Sequence, residues 1–363
     1  MIKRIGVLTG GGDAPGLNAV IRAVVKTAVN EYGWEVLGIE DGYEGLLGET
    51  RTRPLRPSDV QGLLPRGGTI LGTRNRGHFA VVQTEGQVIK PVAIYEAAVA
   101  NITKLGIDAL VVIGGEGTQG IAYELHQLGV PIVGIPKTID NDLACTELTF
   151  GFDTALEVAT EALDRLHTTA ESHDRVMVLE VMGRHAGWIA LEAGIAGGAD
   201  VILIPEIPFY IEKAASKVLE RERNGHAFSI VVVAEGAAPV DGTEVYQEKG
   251  DAMSEGRLGG IGHVVADALE HFTSKETRVV VLGHLQRGGS PTAFDRILSS
   301  AFGVAAVQAL ATGEAGKVVT WNCGMITTCR LDETAFRLKR VPLDCQLVKT
   351  ARRLGITLAG EDD

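Results

Sequence analysis

The chain has 363 residues, more than one hydrophobic core usually supports, so two domains are expected. Hydrophobic residues make up 45% and charged residues 22%, an ordinary globular balance. A formal net charge of -12 argues against nucleic acid as a partner but leaves room for small anionic ligands held by local Arg, Lys and backbone N–H groups. Cys145, Cys323, Cys329 and Cys345 form no C-x-x-C pair and have no His at zinc-finger spacing, so free thiols of a cytosolic protein are expected. No apolar run reads as a membrane span and the N-terminus reads as a strand, so a cytoplasmic protein without a membrane partner is expected.

In chain order, Lys3–Leu8 reads as a strand ending in Thr9-Gly10-Gly11-Gly12-Asp13. A helical pattern follows from near Gly16 through Ala28, then a strand over Glu35–Ile39. Ala109–Ile113 is a strand ending in Gly114-Gly115-Glu116-Gly117-Thr118, with a helix to about Gly129. The apolar run Val130–Ile135 is a buried strand leading to Pro136-Lys137-Thr138-Ile139-Asp140-Asn141-Asp142. Further on come a helix over Thr154–Ala170, strands over Val176–Val181, Val201–Ile204, Phe228–Ala234 and Arg278–Leu282, and helices over Trp188–Ala196, Ile211–Arg223, Gly262–Phe272 and Leu298–Leu310. Pro239–Gly259 reads as a polar, irregular surface excursion. Strands alternating with helices predict mainly parallel sheets with helices on both faces.

Ligands of open α/β sheets bind at the carboxyl ends of strands. Thr138, Asp140 and Asp142 stand at such an end, and an extended backbone would point Asp140 and Asp142 to the same side. One carboxylate could take a proton and the other hold a cation. Gly10–Asp13 could cradle phosphate at a helix N-terminus, although it is neither G-x-G-x-x-G nor a P-loop. Glu116 offers a hard oxygen of the kind Mg²⁺ accepts, or it is a first-turn helix acid favoured by the macrodipole. The loop Gly67–Gly77 carries Arg74 and Arg76, whose planar forks suit phosphate. His284 and Arg287, in a Gly-rich turn after the strand begun by Arg278, suit a phosphate monoester.

TGGGDAPGLNAVIR (Thr9–Arg22), PKTIDND (Pro136–Asp142) and GHLQRGGSP (Gly283–Pro291) together resemble the 6-phosphofructokinases, with GGEGT (Gly114–Thr118) and VMGRHAG (Val181–Gly187) in the expected order. The resemblance runs from Ile5 to about Gly355. It implies two Rossmann-like three-layer domains with mainly parallel sheets and an active site in the cleft between them. The chain is expected to cross twice, with 1–151 and about 284–336 forming a phosphoryl-donor domain and 152–283 and about 337–363 a sugar-phosphate domain.

The resemblance implies transfer of a phosphoryl group to the 1-hydroxyl of fructose 6-phosphate. In that scheme Asp140 is the base, Thr138 stands beside the transferred group and Arg184 stabilises its charge. Asp142 and Glu116 lie near Mg²⁺, Gly12 and Arg76 at the donor phosphates, and Gly117 and Thr118 at the nucleotide. Met182, Gly183 and Glu235 contact the sugar, and His284 and Arg287 grip its 6-phosphate. Arg175 and Arg278 match arginines that enter from a neighbouring subunit, so a homodimer or homotetramer with shared active sites is implied.

Glu116 stands where the family usually has Asp, and the extra methylene should shift the ion or admit a water. The donor loop carries an extra residue, which leaves Arg74 and Arg76 competing, with Arg76 favoured. Of the basic residues that bind nucleotide effectors in bacterial enzymes of this family, Arg22 and Lys26 remain, but Asn224–Ala227 replaces a lysine-rich run. Gly117 leaves room for the α-phosphate of ATP, whereas Lys137 accompanies pyrophosphate use. ATP is the expected donor, on the reasoning that a flexible Lys137 can swing aside; pyrophosphate is the alternative. An NAD-dependent dehydrogenase, suggested by the opening β–Gly-loop–α–β unit and Glu40, is a more distant alternative.

Overall fold

A computed structural model describes residues 2–74, 77–79, 82–84, 87–89, 92–248, 256–335 and 337–362. Two compact units emerge: the described residues of Met1–Thr154 and Arg287–Leu338 form one, and those of Ala155–Asp251, Glu255–Gln286 and Lys339–Asp363 the other.

In chain order the main elements are β1 (Arg4–Thr9), α1 (Leu17–Tyr32), β2 (Glu35–Ile39), β3 (Thr52–Pro54), α2 (Val92–Lys104), β4 (Ala109–Gly114), α3 (Glu116–Gln127), β5 (Ile132–Pro136) and α4 (Phe152–His173). There follow β6 (Val176–Val181), α5 (Trp188–Ala196), β7 (Val201–Leu203), α6 (Ile211–Arg223), β8 (Ser229–Ala234), α7 (Ile261–Thr273) and β9 (Thr277–Val281). The chain continues through α8 (Ala293–Ala311), β10 (Lys317–Asn322), β11 (Met325–Arg330), α9 (Leu331–Thr334) and α10 (Gln346–Arg353).

The first unit is built on a sheet of order β11-β10-β5-β4-β1-β2-β3. Its inner strands are parallel, and β3 and β11 close the two edges antiparallel. The strands are apolar on both faces because both faces are covered. Ile5 and Val7 of β1, with Val111 and Ile113 of β4, join α1 and α8 in one core. The alternate residues Leu8, Leu110 and Val112 join α2 and α3 in the other. That alternation is the period of 2 of a strand, and it makes the unit three layers.

The second unit has an all-parallel sheet of order β9-β6-β8-β7. Val176, Val178, Val231 and Val233 pack with α6 and α7 on one face. The expected elements stand within a few residues of their predicted bounds, and α8 is longer by one and a half turns because Thr292 caps it, its hydroxyl accepting from Asp295 N. α8 is long and apolar enough to cross a membrane, contrary to expectation, but Leu298, Phe302, Ala306 and Val307 bury it in the core. The stretch expected to be irregular, Pro239–Gly259, contains an antiparallel pair, Tyr246–Glu248 with Arg257–Leu258, and residues 249–255 of it lie outside the described residues. The hairpin β10–β11 also escapes a sequence reading, since Met325–Arg330 alternates without a clear apolar face.

Asp295, in the first turn of α8, shows how the first unit is closed. Its carboxylate is fully buried and accepts from Gly151 N (2.9 Å), Thr154 N (2.9 Å) and Thr154 Oγ1 (2.5 Å). Burial raises its pKa to about 6 against the pull of those donors. A carboxyl raised in the fold contributes stability that is present below about 4 and lost as pH rises through about 6. Asp295→Ala leaves three buried donors without an acceptor, so urea unfolding is expected to show a smaller loss at pH 7 than at a pH of about 4, where it amounts to about 3–5 kcal/mol. A loss below about 1 kcal/mol would refute this role for Asp295.

Candidate active site

In the first unit three strand ends meet, those of β1, β4 and β5. Gly10 N donates to Ile113 O at 2.9 Å and Gly11 N to Arg74 O at 3.0 Å. The turn approaches α3 closely: a Cβ on Gly10 would lie 2.7 Å from Thr118 Oγ1, and one on Gly114 2.4 Å from Thr118 Cβ, so glycine is required at both. Glu116, Gly117 and Thr118 form the first turn of α3, and a helix N-terminus favours anions. Thr118 is fixed in turn by Tyr43, whose buried hydroxyl donates to Thr118 O at 2.9 Å; burial pushes the Tyr43 pKa well above the usual value. At Gly117 an added Cβ meets nothing within 4 Å, so the space beside it is open.

Gln119 was not singled out from the sequence. It is buried, and its Nε2 donates to Gly114 O and Ile135 O, both at 3.1 Å, locking the ends of β4 and β5 together. A glutamine one position after the strand-end Gly-Thr run is the only signal of it in the sequence.

The Thr138–Asp142 segment departs from the extended form assumed for it. β5 ends at Pro136, and Asn141 is left-handed with φ 50°. The period-2 argument therefore does not apply to Asp140 and Asp142. The loop is instead stapled by local polar bonds. Thr138 Oγ1 accepts from Asp140 N (3.1 Å), Thr149 Oγ1 donates to Thr138 O (2.7 Å), and Asn141 Oδ1 accepts from Thr149 N (3.1 Å) while its Nδ2 donates to Glu147 O (3.1 Å). Both Asp140 and Asp142 lie within electrostatic reach of Lys137.

Lys137 is not a loose side chain, and the expectation that it swings aside fails on packing. It is 4% exposed and its Nζ donates to Gly12 O. Burial, and then repulsion from Arg287, depress its pKa to about 8, partly offset by Asp13, Asp142 and Asp140. Arg287 also lies against this loop, with Nη1 3.3 Å from Asp13 O and 1.8 Å from where a Cβ on Gly12 would stand. So Lys137 and Arg287 bring two cations to Gly12. Arg74 meets the glycine turn through its backbone, and Arg76 lies outside the described residues.

In the second unit the carboxyl ends of β6 and β8 bring Met182, Gly183 and Glu235 together. Glu235 N donates to Val181 O at 2.9 Å, Gly236 N to Gly183 O at 3.1 Å, and Met182 N to the buried Gln286 Oε1 at 2.8 Å. Gly183 has φ 140°, a backbone that suits glycine alone. Arg184 donates to Gly256 O, and His284 is exposed. Arg175 and Arg278 stand at the opposite ends of the parallel strands, where both pair with Glu276. β6 has 6 residues, and Arg175 and Met182 flank it, seven steps apart, which at ~3.3 Å per residue is about 23 Å.

The chemistry assembled in the first unit, glycine turns for phosphate and carboxylates beside a buried lysine, is that of phosphoryl transfer, where positioning and charge neutralisation dominate. The class is that of α/β phosphotransferases. The chain belongs to the phosphofructokinase family, whose description, Phosphofructokinase, matches residues 4–310. A relative from Chloroflexus aurantiacus named ATP-dependent 6-phosphofructokinase is 61% identical over 359 residues, 99% of this chain and 98% of its own. One from Amycolatopsis methanolica named pyrophosphate–fructose 6-phosphate 1-phosphotransferase is 52% identical over 342 residues, 93% of this chain and 96% of its own. The solved phosphofructokinase from Saccharomyces cerevisiae matches with a TM-score of 0.76 at 33% identity over 98% of this chain. It covers 48% of the yeast chain, so this chain spans about half that length. Family membership sets the dehydrogenase reading aside, and Glu40, its supposed ribose ligand, pairs with Arg53 at 3.2 Å.

Proposed function

We propose that this chain transfers the terminal phosphoryl group of ATP to the 1-hydroxyl of fructose 6-phosphate, giving fructose 1,6-bisphosphate in glycolysis. The observation that carries the reading is the stapled Thr138–Asp142 loop set beside Lys137 and the Gly10–Gly12 turn. Asp140 takes the hydroxyl proton as the oxygen attacks phosphorus. Thr138 orders the loop through Asp140 N and stands beside the transferred group. Lys137 and Arg184 offset the charge that the transfer develops, and Gly12, Arg76, Gly117 and Thr118 hold the donor.

Glu116 and Asp142 suit Mg²⁺ as hard oxygen donors from two neighbouring strand ends, β4 and β5. The ion, when bound, neutralises charge on the donor phosphates. Met182, Gly183 and Glu235 hold the sugar, and His284 and Arg287 its 6-phosphate. Arg175 and Arg278, about a strand length from Met182, serve the site of a second copy, which makes the active form a homodimer or homotetramer. The protein works in the cytoplasm, without nucleic acid or membrane.

Lys137 favours a second reading, pyrophosphate as donor, since it is buried and donates to Gly12 O. A coupled assay with fructose 6-phosphate and Mg²⁺ separates the two: turnover with ATP supports the first, and turnover with pyrophosphate alone sinks it. Lys137 also makes the donor affinity pH-dependent. Its folded pKa of about 8 means the charge is present below 8 and lost above it. The donor KM is therefore expected to rise about tenfold per pH unit above that value. Lys137→Met should flatten that profile; a wild-type KM that is constant from pH 7 to about 9.5 would exclude a charged Lys137 from donor binding.

A further inference from the structure

All four cysteines are free, yet two of them are brought together with a carboxylate in the first unit. Cys145 follows Asp142 in the loop, Cys329 is the penultimate residue of β11, and Glu333 sits in α9. Their ligand atoms all lie within 4.8 Å of one another. Cys145 Sγ is 3.6 Å from both Glu333 O and Glu333 Oε2. A tetrahedral zinc ion, with Zn–S of ~2.3 Å and Zn–O of ~2.0 Å, sets sulfur and oxygen about 3.5 Å apart, so the thiol and carboxylate already stand at ligand spacing.

The loop is also held in this form. Cys145 has φ 68°, a left-handed backbone that is costly for a residue with a Cβ. Cys145 O accepts from Asn322 Nδ2 at 2.9 Å, and Thr146 Oγ1 accepts from Trp321 N at 3.0 Å. These bonds fasten the loop to β10 and leave the thiol facing β11.

We propose that Cys145, Cys329 and Glu333 form a binding site for a thiophilic divalent cation such as Zn²⁺, with water in the fourth position. Binding exchanges the two thiol protons for the ion. Since Cys145 lies three residues beyond Asp142, the ion ties the Asp140–Asp142 loop to the β10–β11 hairpin. The site stands on its own residues and holds whether or not the donor is ATP.

The test titrates Zn²⁺, and separately Co²⁺, into the reduced, chelator-stripped full chain with Mg²⁺ in excess. Expected are a single bound zinc per chain and, with Co²⁺, a near-ultraviolet sulfur-to-metal charge-transfer band. Cys145→Ser and Cys329→Ser should each weaken binding by more than about tenfold and diminish the band, with a smaller loss for Glu333→Gln. Cys345→Ser should bind as the wild type does. Circular dichroism of the zinc-free variants separates lost ligands from lost fold, and Cys145→Ala provides a second variant should the serine misfold. Absence of binding, a cobalt complex without the sulfur band, or unchanged affinity in both Cys145 and Cys329 variants overturns the site.

Discussion

Asp140→Asn is expected to lower kcat by about 10³-fold while leaving the KM for fructose 6-phosphate within about threefold. Asparagine has the same shape as aspartate but accepts no proton. Several bonds that shape the loop are independent of the residue 140 side chain: Thr138 Oγ1 takes the backbone N–H of residue 140, and Asn141 ties the loop to Thr149 and Glu147. The substitution therefore removes a base while these bonds remain. Loss of a transition-state interaction appears in kcat and kcat/KM together, whereas a distorted loop raises KM as well. A kcat within about tenfold of wild type would overturn the assignment of Asp140 as base.

The second large effect is expected at Gly117. Gly117→Asp should lower kcat/KM for ATP by about 10²–10³-fold without unfolding the protein, because a like charge at ~4 Å costs about 4 kcal/mol at an effective dielectric of 20. A Cβ at this position meets nothing within 4 Å, and an acidic side chain in the first turn of a helix is mildly stabilising. The penalty thus falls on the bound donor rather than on the fold. Gly117→Ala separates size from charge, since it adds the Cβ alone and should cost less than about tenfold. Steady-state kinetics of both variants with ATP and with pyrophosphate read this directly. Unchanged ATP kinetics in Gly117→Asp would mean that the open space beside α3 is not where the donor lies.

The parallel α/β architecture was legible in the sequence because its inner strands are buried on both faces. The run Ala109–Ile113 is apolar at every position and leads into Gly114, and Val176–Val181 is apolar at every position but Glu180 and leads into Met182-Gly183. The short hairpins were not legible, since edge strands such as Met325–Arg330 expose most of their side chains. The Asp140–Asp142 pair was found for an incorrect local reason, extended backbone, when in fact Asn141 turns the chain through a left-handed residue.

By itself the sequence determined which residues of this protein carry charge, hydroxyl and glycine at strand ends, and through its long motifs the family to which it belongs. Those features are local: a strand end and the turn after it are written in consecutive residues. Only the tertiary structure decided where the long side chains go. It buried Lys137 against Gly12 O and aimed Arg287 at the same loop. It closed α8 onto Gly151 and Thr154 through Asp295. It set Arg175 and Arg278 at the far ends of their strands from Met182, and gathered Cys145, Cys329 and Glu333 into one cluster. Each of those placements joins residues distant in the chain or depends on what a side chain packs against, and neither can be read from spacing along the chain.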